Sequence, residues 1–329
     1  MFCGIDAGLR HCICIKDETG KILHKFFINN NKADYGKLKS LIDKETKICI
    51  EDTGGYSHII YKHLKERGYD IKRINSYKSD KLRVFLNDNV KTDNKDAEFL
   101  ADLRKIKDDF EYKDLNEHDE LKNLSRLHRF IIKYLTKLKN KLHIEIFKLC
   151  PELKSEFKKK LSKTVLKLLY NFSPNDLNDL SVEEIHQFAH NNKFYIKRTS
   201  IEKIKNAFHD TVGITDNIVC VRSLLELYNE TQRLLETMEK QISEAVNNSK
   251  YRRLTELPFI NTITAGCLIG EIDNIQRFSN HNKFVKFCGL DVSSKQSGNM
   301  NTRGRLGKKG NPRIRKILYI IILTRIQSN

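Results

Sequence analysis

The chain has 329 residues, of which 39% are hydrophobic and 31% charged, so it is long enough for two or three domains with apolar cores. The 60 lysines and arginines outnumber the 42 acidic residues, and the formal net charge of +18 favours a polyanionic partner, nucleic acid ahead of a membrane surface. The longest apolar run near the C-terminus, ILYIIIL, is too short to span a bilayer, and the eight cysteines lack C-x-x-C or zinc-ligand spacing, so we expect a cytoplasmic protein with no membrane partner.

The first hundred residues alternate short β-rich runs with helical runs. The patterns predict three strands, a helix, a strand, a helix, a strand and a last helix, in the order FCGIDAG, HCICIKD, KILHKFFIN, ADYGKLKSLIDK, TKICIED, GYSHIIYKHLKERG, YDIKRIN and a helix that begins near Asp93. The turn signal DETG joins the second and third strands as a hairpin. This order predicts an α/β domain with a mixed five-stranded sheet over residues 1–108.

Long helices replace the strands beyond about residue 115. Mostly apolar residues step by three and four from Leu121 to Leu149, ahead of Pro151, and a second such seam runs from Val221 to Ala245. These seams predict a helical coiled-coil and insertion region over residues 109–250. The two helices pair with each other or with a second subunit. Between them, Ser181 and Glu184 have the spacing of a capping box.

The last part of the chain, residues 251–329, is predicted to be a mainly α-helical domain. Its opening stretch LTELPFINTITAGCLIGEI is typical of a helix-hairpin-helix, in which backbone N–H groups face phosphates, or of a helical hairpin used only for packing. From Arg277 to Arg325, twelve lysines and arginines stand against one acid, Asp291. This excess favours a phosphate-binding surface over a solvated basic loop, with these candidate nucleic-acid-binding residues: Arg303, Arg305, Lys308, Lys309, Arg313 and Arg315.

Four acidic residues stand out against this predicted fold. Asp93 and Asp96 lie three residues apart at the start of the helix in NDNVKTDNKDAEFLADL, on one helix face, where helix capping alone is a sufficient explanation. Asp6 lies on the first strand and Glu51 ends the fourth. If those strands are neighbours and the helix crosses the sheet, the four carboxylates meet. They would repel one another unless divalent cations lay among them, and oxygen ligands suit Mg²⁺ or Mn²⁺, as a pair of ions.

The order strand-Asp, strand-Glu, helix D-x-x-D on this βββαβαβα background resembles the RNase H-like fold of RuvC-type nucleases. The stretch KTDNKDA and the C-terminal FCGL…QSGN…GRLGKKGNPRIRK resemble the two signatures of the DEDD transposase family of insertion sequences, which includes the pilin-gene-inverting recombinases. The resemblance covers nearly the whole chain. One departure concerns the segment GLDVSSKQSG, which has Asp291 and Val292 where the family usually has a proline.

The resemblance implies a role for each of these residues. Asp6, Glu51, Asp93 and Asp96 would bind the metal ions, and Ser297 would attack DNA to give a covalent phosphoserine, with Ser293 and Ser294 as close competitors. The serine would act with the acids of its own subunit or of a partner. The resemblance also implies a recombinase that forms a homo-oligomer, a dimer or tetramer, and is guided by a structured RNA that pairs with donor and target DNA.

Two other functions are compatible with the same residues. A Holliday-junction-type nuclease would use the four acids with a water molecule as nucleophile and would not need Ser297. An RNA-binding coiled-coil protein with a degenerate nuclease domain would not be an enzyme, but the presence of all four acids argues against it.

Overall fold

The N-terminal part of the chain is built on a mixed sheet. The computed structural model describes residues 1–85, 92–106, 118–153, 163–293, 296–297, 300–301, 305–307 and 310–327. The strands of the sheet are β1 (Phe2–Ala7), β2 (Arg10–Lys16), β3 (Ile22–Asn29), β4 (Lys47–Asp52) and β5 (Ile71–Asn75). Their spatial order is β3-β2-β1-β4-β5, with β2 antiparallel to both neighbours and β4 parallel to β1 and β5. The predicted mixed five-stranded sheet is therefore confirmed, and β4 lies beside β1.

The helices of this part are α1 (Lys32–Leu41), α2 (Gly55–Lys65), α3 (Ser76–Phe85) and α4 (Asp93–Ile106). α1, α2 and α4 agree with the sequence patterns, and Gly68 after α2 has a φ of 77°, which suits a helix C-terminus. The sequence patterns do not predict α3. Its sequence SYKSDKLRVF is mostly polar, so it has no apolar period to indicate a helix.

α4 packs closely across the sheet because the residue beneath it has no side chain. A Cβ at Gly4 would lie 1.9 Å from the carbonyl oxygen of Ala97 and 2.5 Å from the backbone nitrogen of Ala101. The neighbouring buried side chains, Cys12 and Cys14, are small as well. The glycine and its small neighbours therefore set the distance between α4 and β1, and with it the position of the acids at the start of α4.

The second part of the chain is mainly helical, in agreement with the predicted fold class. Its helices are α5 (Asp119–Leu149), α6 (Lys163–Asn171), α7 (Pro174–Asp179), α8 (Val182–Asn191), α9 (Arg198–His209), α10 (Ile218–Asn247), α11 (Thr262–Ile272), α12 (His281–Cys288) and α13 (Pro312–Gln327). α5 ends just before Pro151, and Ser181 forms the predicted capping box with Glu184 at the start of α8.

The two long helices, α5 and α10, pack against each other through the predicted seams, so that Leu138, Leu142 and Ile242 are buried. α11 packs against both, and a Cβ at Gly270 would lie 2.6 Å from the Cα of Lys122 on α5. A regular coiled coil in this region and a helix-hairpin-helix near residue 260 stay predictions.

The chain divides into two compact units, Met1–Asn116 and Glu117–Asn329. The predicted boundary after residue 108 lies outside the described residues, and the predicted boundary after residue 250 stays a prediction. None of the helices in the described ranges is long and apolar enough to cross a membrane.

Candidate active site

The ends of β1 and β4 bring two of the predicted acids side by side. The parallel register pairs Ile5 with Ile50, and Asp6 and Glu51 are the next residue on each strand. Thr53 donates a hydrogen bond from Oγ1 to the carbonyl oxygen of Ala7 at 2.7 Å, which fastens the chain after β4 to the end of β1. Neighbouring parallel strands thus present one carboxylate each at the same edge of the sheet.

The other two acids occupy the first turn of α4. Thr92 precedes this turn, and its carbonyl oxygen accepts the N–H of Asp96 at 2.8 Å. Asp93 is exposed, whereas Asp96 is buried, with 8% of its surface accessible. Acids are favoured at a helix N-terminus by the helix dipole, but solvated capping does not require that one of them be buried.

The other three acids all act on the carboxyl of Asp6. Burial raises the pKa of Asp6, and the charges of Asp96, Asp93 and Glu51 raise it further, in that order, while Arg83 opposes them, so that the pKa is about 6. A carboxylate shows this behaviour when like charges surround it. The structure therefore gathers the predicted acids into one electrostatic group, which we call the acidic cluster (Asp6, Glu51, Asp93 and Asp96).

A cysteine lies next to the acidic cluster. Cys12 is the β2 partner of Asp6 in the antiparallel register, is buried, and donates from Sγ to the side-chain oxygen of Asn94 at 3.3 Å. Burial, followed by the charge of Asp6, raises the pKa of its thiol to about 11. The thiol is therefore neutral at physiological pH and links β2 to the first turn of α4.

Arg83 also belongs to this site, although the sequence did not indicate it. It lies on α3 and forms an ion pair with the carboxylate of Asp96. Its guanidinium carbon lies 4.9 Å from the centre of the Phe99 ring, and only 8% of its side chain is exposed. The only sequence signal is a basic residue in a polar helix, which is too common to single out Arg83.

Within the described part of the chain, no group of three His, Cys, Asp or Glu residues is close enough to hold a metal ion. The acidic cluster nevertheless has the oxygen donors that hard divalent cations prefer. Part of its negative charge is already matched by Arg83.

The predicted nucleophile lies in the second compact unit, on a short hairpin. Ser297 ends β7 (Gln296–Ser297), which is antiparallel to β8 (Met300–Asn301), with Ser297 opposite Met300. Ser293 ends β6 (Val292–Ser293), which pairs with β9 (Arg305–Leu306). Ser294 lies outside the described residues.

The two ends of the segment that carries these serines lie close together, and we call this place the base of the segment. A buried carboxylate holds the base. Glu271 on α11 has 4% of its side chain exposed and accepts hydrogen bonds from Nε and Nη2 of Arg126, at 2.8 and 3.0 Å. It also accepts one from Nδ2 of Asn311 at 2.8 Å. The backbone N–H of Asn311 donates to the carbonyl oxygen of Phe287 at 2.6 Å. The sequence gives no sign of this network.

Two glycines allow the two ends of this segment to come together at its base. Gly289 has a φ of 69°, and a Cβ there would lie 2.9 Å from the backbone nitrogen of Gly310. A Cβ on Gly310 would lie 2.2 Å from the nitrogen of Gly289 and 2.3 Å from the carbonyl oxygen of Phe287. The two ends of the segment between residues 289 and 310 therefore touch backbone to backbone, which only glycine permits. We call residues 290–309 the serine loop.

The predicted nucleic-acid-binding residues are described only in part. Arg315 donates from Nη1 to the carbonyl oxygens of Cys288 and Gly289, both at 3.4 Å, and Nε of Arg313 lies 3.7 Å from Glu271. Both therefore support the base of the serine loop. Arg305 takes part in β9 through its backbone, and the other three candidates lie outside the described residues: Arg303, Lys308 and Lys309.

Two family models match the chain, and together they cover about two thirds of it. A DEDD transposase model of the IS110 type matches residues 3–147, which contain the acidic cluster. A model of the IS116/IS110/IS902 transposase family matches residues 251–329, which contain the serine loop. The chain belongs to the IS110 family of DEDD transposases. A comparison with curated proteins gave no match.

Membership of this family makes the protein an enzyme that acts on DNA, a transposase of an insertion sequence. The matched ranges assign the acidic cluster and the serine loop to separate family regions. A DEDD transposase domain also indicates dependence on a divalent metal.

Proposed function

We propose that this IS110-family transposase cuts and rejoins DNA strands through a covalent phosphoserine at Ser297, with the acidic cluster as its metal-binding group on an RNase H-like domain. The observation that carries the proposal is the convergence of Asp6 with Glu51, Asp93 and Asp96. It consists of the adjacent strand ends, the close packing of α4 over Gly4, and the raised pKa of Asp6. Helix capping explains neither the burial of Asp96 nor its effect on Asp6.

The donor chemistry of the cluster fits Mg²⁺ or Mn²⁺, which prefer carboxylate oxygens. Four carboxylates offer enough donors for two such ions, held by Asp6, Glu51, Asp93 and Asp96. When bound, the ions would stabilise negative charge on the oxygens that attack and leave a phosphodiester. The acidic cluster therefore fits these ions in the type of its ligand atoms and in its charge.

The serine reaction has two balanced steps. In the first, Oγ of Ser297 loses its proton and bonds to phosphorus, while a P–O bond of the DNA backbone breaks and leaves a sugar hydroxyl. In the second, a hydroxyl of another DNA end attacks the phosphoserine, the new DNA bond forms, and the serine regains a proton. This route conserves the energy of the phosphodiester, whereas attack by water would lose it. The network of Glu271, Asn311 and the two glycines supports this role, since it holds the base of the serine loop.

A structured guide RNA selects the DNA sites by pairing with donor and target DNA. The net charge of +18 supports this part of the proposal, because phosphate contacts by lysine and arginine dominate the affinity for nucleic acids. The active form is a homo-oligomer, a dimer or tetramer, joined through the long helices.

The test is to trap the reaction on labelled DNA and look for label attached covalently to the protein. The wild-type protein should form the adduct, and Ser297→Ala should not, while it still binds DNA. Ser294→Ala is the matched control and should retain the adduct. An adduct in Ser297→Ala would assign the nucleophile to another residue. Metal-dependent cleavage by the wild type without any adduct would favour the nuclease that uses water.

A further inference from the structure

Arg83 is a buried cation that faces the acidic cluster from α3. Its side chain is 8% exposed, its guanidinium pairs with Asp96, and its charge acts on Asp6 against those of the surrounding acids. A buried arginine normally uses its five N–H donors in a fork of hydrogen bonds. Here Nε is buried and has no hydrogen-bond partner, so the guanidinium is held by charge and by the Phe99 ring rather than by a saturated network.

We propose that Arg83 is the internal counter-ion of the acidic cluster and competes with the divalent metal ion for Asp96. The inference rests on the proposed metal-binding role of the cluster. It adds a residue that opposes metal binding and stabilises the metal-free protein.

The physical basis is that Asp96 cannot serve both cations fully. A guanidinium in contact with a carboxylate occupies one of its oxygens and repels a second cation nearby. Four acids without a counter-ion would repel one another in a partly dry site. Arg83 therefore lowers the cost of keeping the cluster folded without metal, and a metal ion has to displace it from Asp96.

Phe99 gives the displaced guanidinium a place to remain. Its ring lies one helical turn beyond Asp96 on α4, and the guanidinium carbon of Arg83 is already 4.9 Å from its centre. The attraction of a cation to an aromatic face can hold Arg83 beside the cluster after Asp96 is released.

The experiment measures Mn²⁺ binding to the full-length, metal-stripped protein without DNA, by electron paramagnetic resonance of free Mn²⁺. Arg83→Met and Arg83→Gln remove the charge and keep most of the side-chain volume. We expect the Kd for Mn²⁺ to fall by about tenfold in both, within the usual range of coupling between two ligands. In the presence of a chelator, the unfolding temperature of both variants should be lower than that of the wild type. Adding Mn²⁺ should raise the unfolding temperature of the variants by more than it raises that of the wild type.

Two variants serve as controls. Arg83→Lys keeps the charge, so its Kd should stay close to that of the wild type. Arg104→Met removes another buried arginine of the same region, whose Nη2 lies 2.6 Å from Asp70, outside the acidic cluster. Arg104→Met should be less stable than the wild type and yet have an unchanged Kd for Mn²⁺.

Three outcomes separate the inference from the proposed function. Tighter Mn²⁺ binding in Arg83→Met or Arg83→Gln, but not in Arg104→Met, supports the competition. If the wild type binds Mn²⁺ and the uncharged variants bind it equally or more weakly, the inference is overturned while the metal site stands. If neither the wild type nor any Arg83 variant binds Mn²⁺ at millimolar concentrations, the proposed metal site fails and the inference fails with it.

Discussion

Asn311 donates a hydrogen bond to Glu271 at 2.8 Å across 40 residues of chain, and this contact joins the start of α13 to α11 at the base of the serine loop. Glu271 is buried, yet its pKa is lowered: burial raises it, and the hydrogen bonds from Arg126 and Asn311 outweigh that effect. A single carboxylate thus connects α5, α11 and the end of the serine loop.

We predict that Glu271→Gln destabilises the second unit by about 1–3 kcal/mol, because it leaves Arg126 beside a neutral partner. The estimate is below that for a fully buried pair, since 38% of the Arg126 side chain is exposed. Urea unfolding measures the change. The variant should also lose the DNA adduct while it retains DNA binding.

Glu183→Gln is the matched control, since its ion pair with Arg198 is exposed on both sides and should matter little. Equal stability of Glu271→Gln and the wild type would mean that the network does not hold the serine loop.

Gly4→Ala should damage the acidic cluster without touching any of its acids. The new Cβ would overlap the backbone of α4 at Ala97, so either the helix or β1 has to move. We expect a loss of about 1–3 kcal/mol or more in unfolding free energy, and weaker Mn²⁺ binding.

Gly36→Ala on α1 is the control, because its Cβ would meet nothing within 4 Å. That change should stabilise the protein by up to about 1 kcal/mol, since alanine favours a helix over glycine. Wild-type Mn²⁺ affinity in Gly4→Ala would show that the spacing between α4 and β1 is not critical.

Asp93→Asn should abolish DNA cleavage and leave the fold intact. Asp93 is exposed in the first turn of α4, and the residue that caps this helix is Thr92, whose Oγ1 accepts the N–H of Lys95 at 3.3 Å, so the change to asparagine leaves the cap in place. Loss of a direct metal ligand should cost at least about a hundredfold in rate, since even the residues behind such ligands cost up to that much.

Mg²⁺-dependent cleavage by purified protein and circular dichroism test the two parts of this prediction. Full activity in Asp93→Asn would limit the role of Asp93 to a favourable charge at the helix N-terminus.

The junction of α5 and α10 should weaken in acid because of Glu145. Lys141, Asn217 and Lys148 donate hydrogen bonds to its carboxylate and lower its pKa from the usual 4.5 to about 2. A carboxyl whose pKa is depressed by folding contributes its stability above pH 4.5 and loses it as the pH falls toward 2.

The free energy of unfolding in urea should therefore decline as the pH falls from 7 to 3, and the decline should be smaller in Glu145→Gln than in the wild type. At pH 7, Glu145→Gln should be less stable than the wild type. Parallel pH profiles for the two proteins would rule out this contribution of Glu145.

RNA binding should depend steeply on salt. When lysines and arginines contact single strands, the logarithm of the binding constant falls linearly with the logarithm of the salt concentration, with a slope of about −0.7 for each phosphate neutralised. A salt series with RNA recovered from the purified protein measures that slope. A flat dependence, or no RNA retained at moderate salt, would count against a guide RNA.

Features that repeat over a few residues are predictable from the sequence. Short β-rich runs predict β1 to β5, steps of three and four predict α5 and α10, and Ser181 with Glu184 predicts the start of α8. The order of the acids pointed to their meeting at one edge of the sheet, because parallel strands end together. Such patterns are local, and the physical rules behind them do not depend on distant partners.

Contacts between side chains that are distant in sequence are visible only in the folded protein. Arg83 and Asp96 are 13 residues apart, and Arg126 and Glu271 are 145 apart. Neither pair follows a periodic pattern, and α3 itself is too polar for its helix to be predicted. The close packing of α4 over Gly4 and the contact between Gly289 and Gly310 also depend on where two backbones come together. A charge or a glycine acquires its role from the atoms packed against it, and those atoms belong to distant parts of the chain.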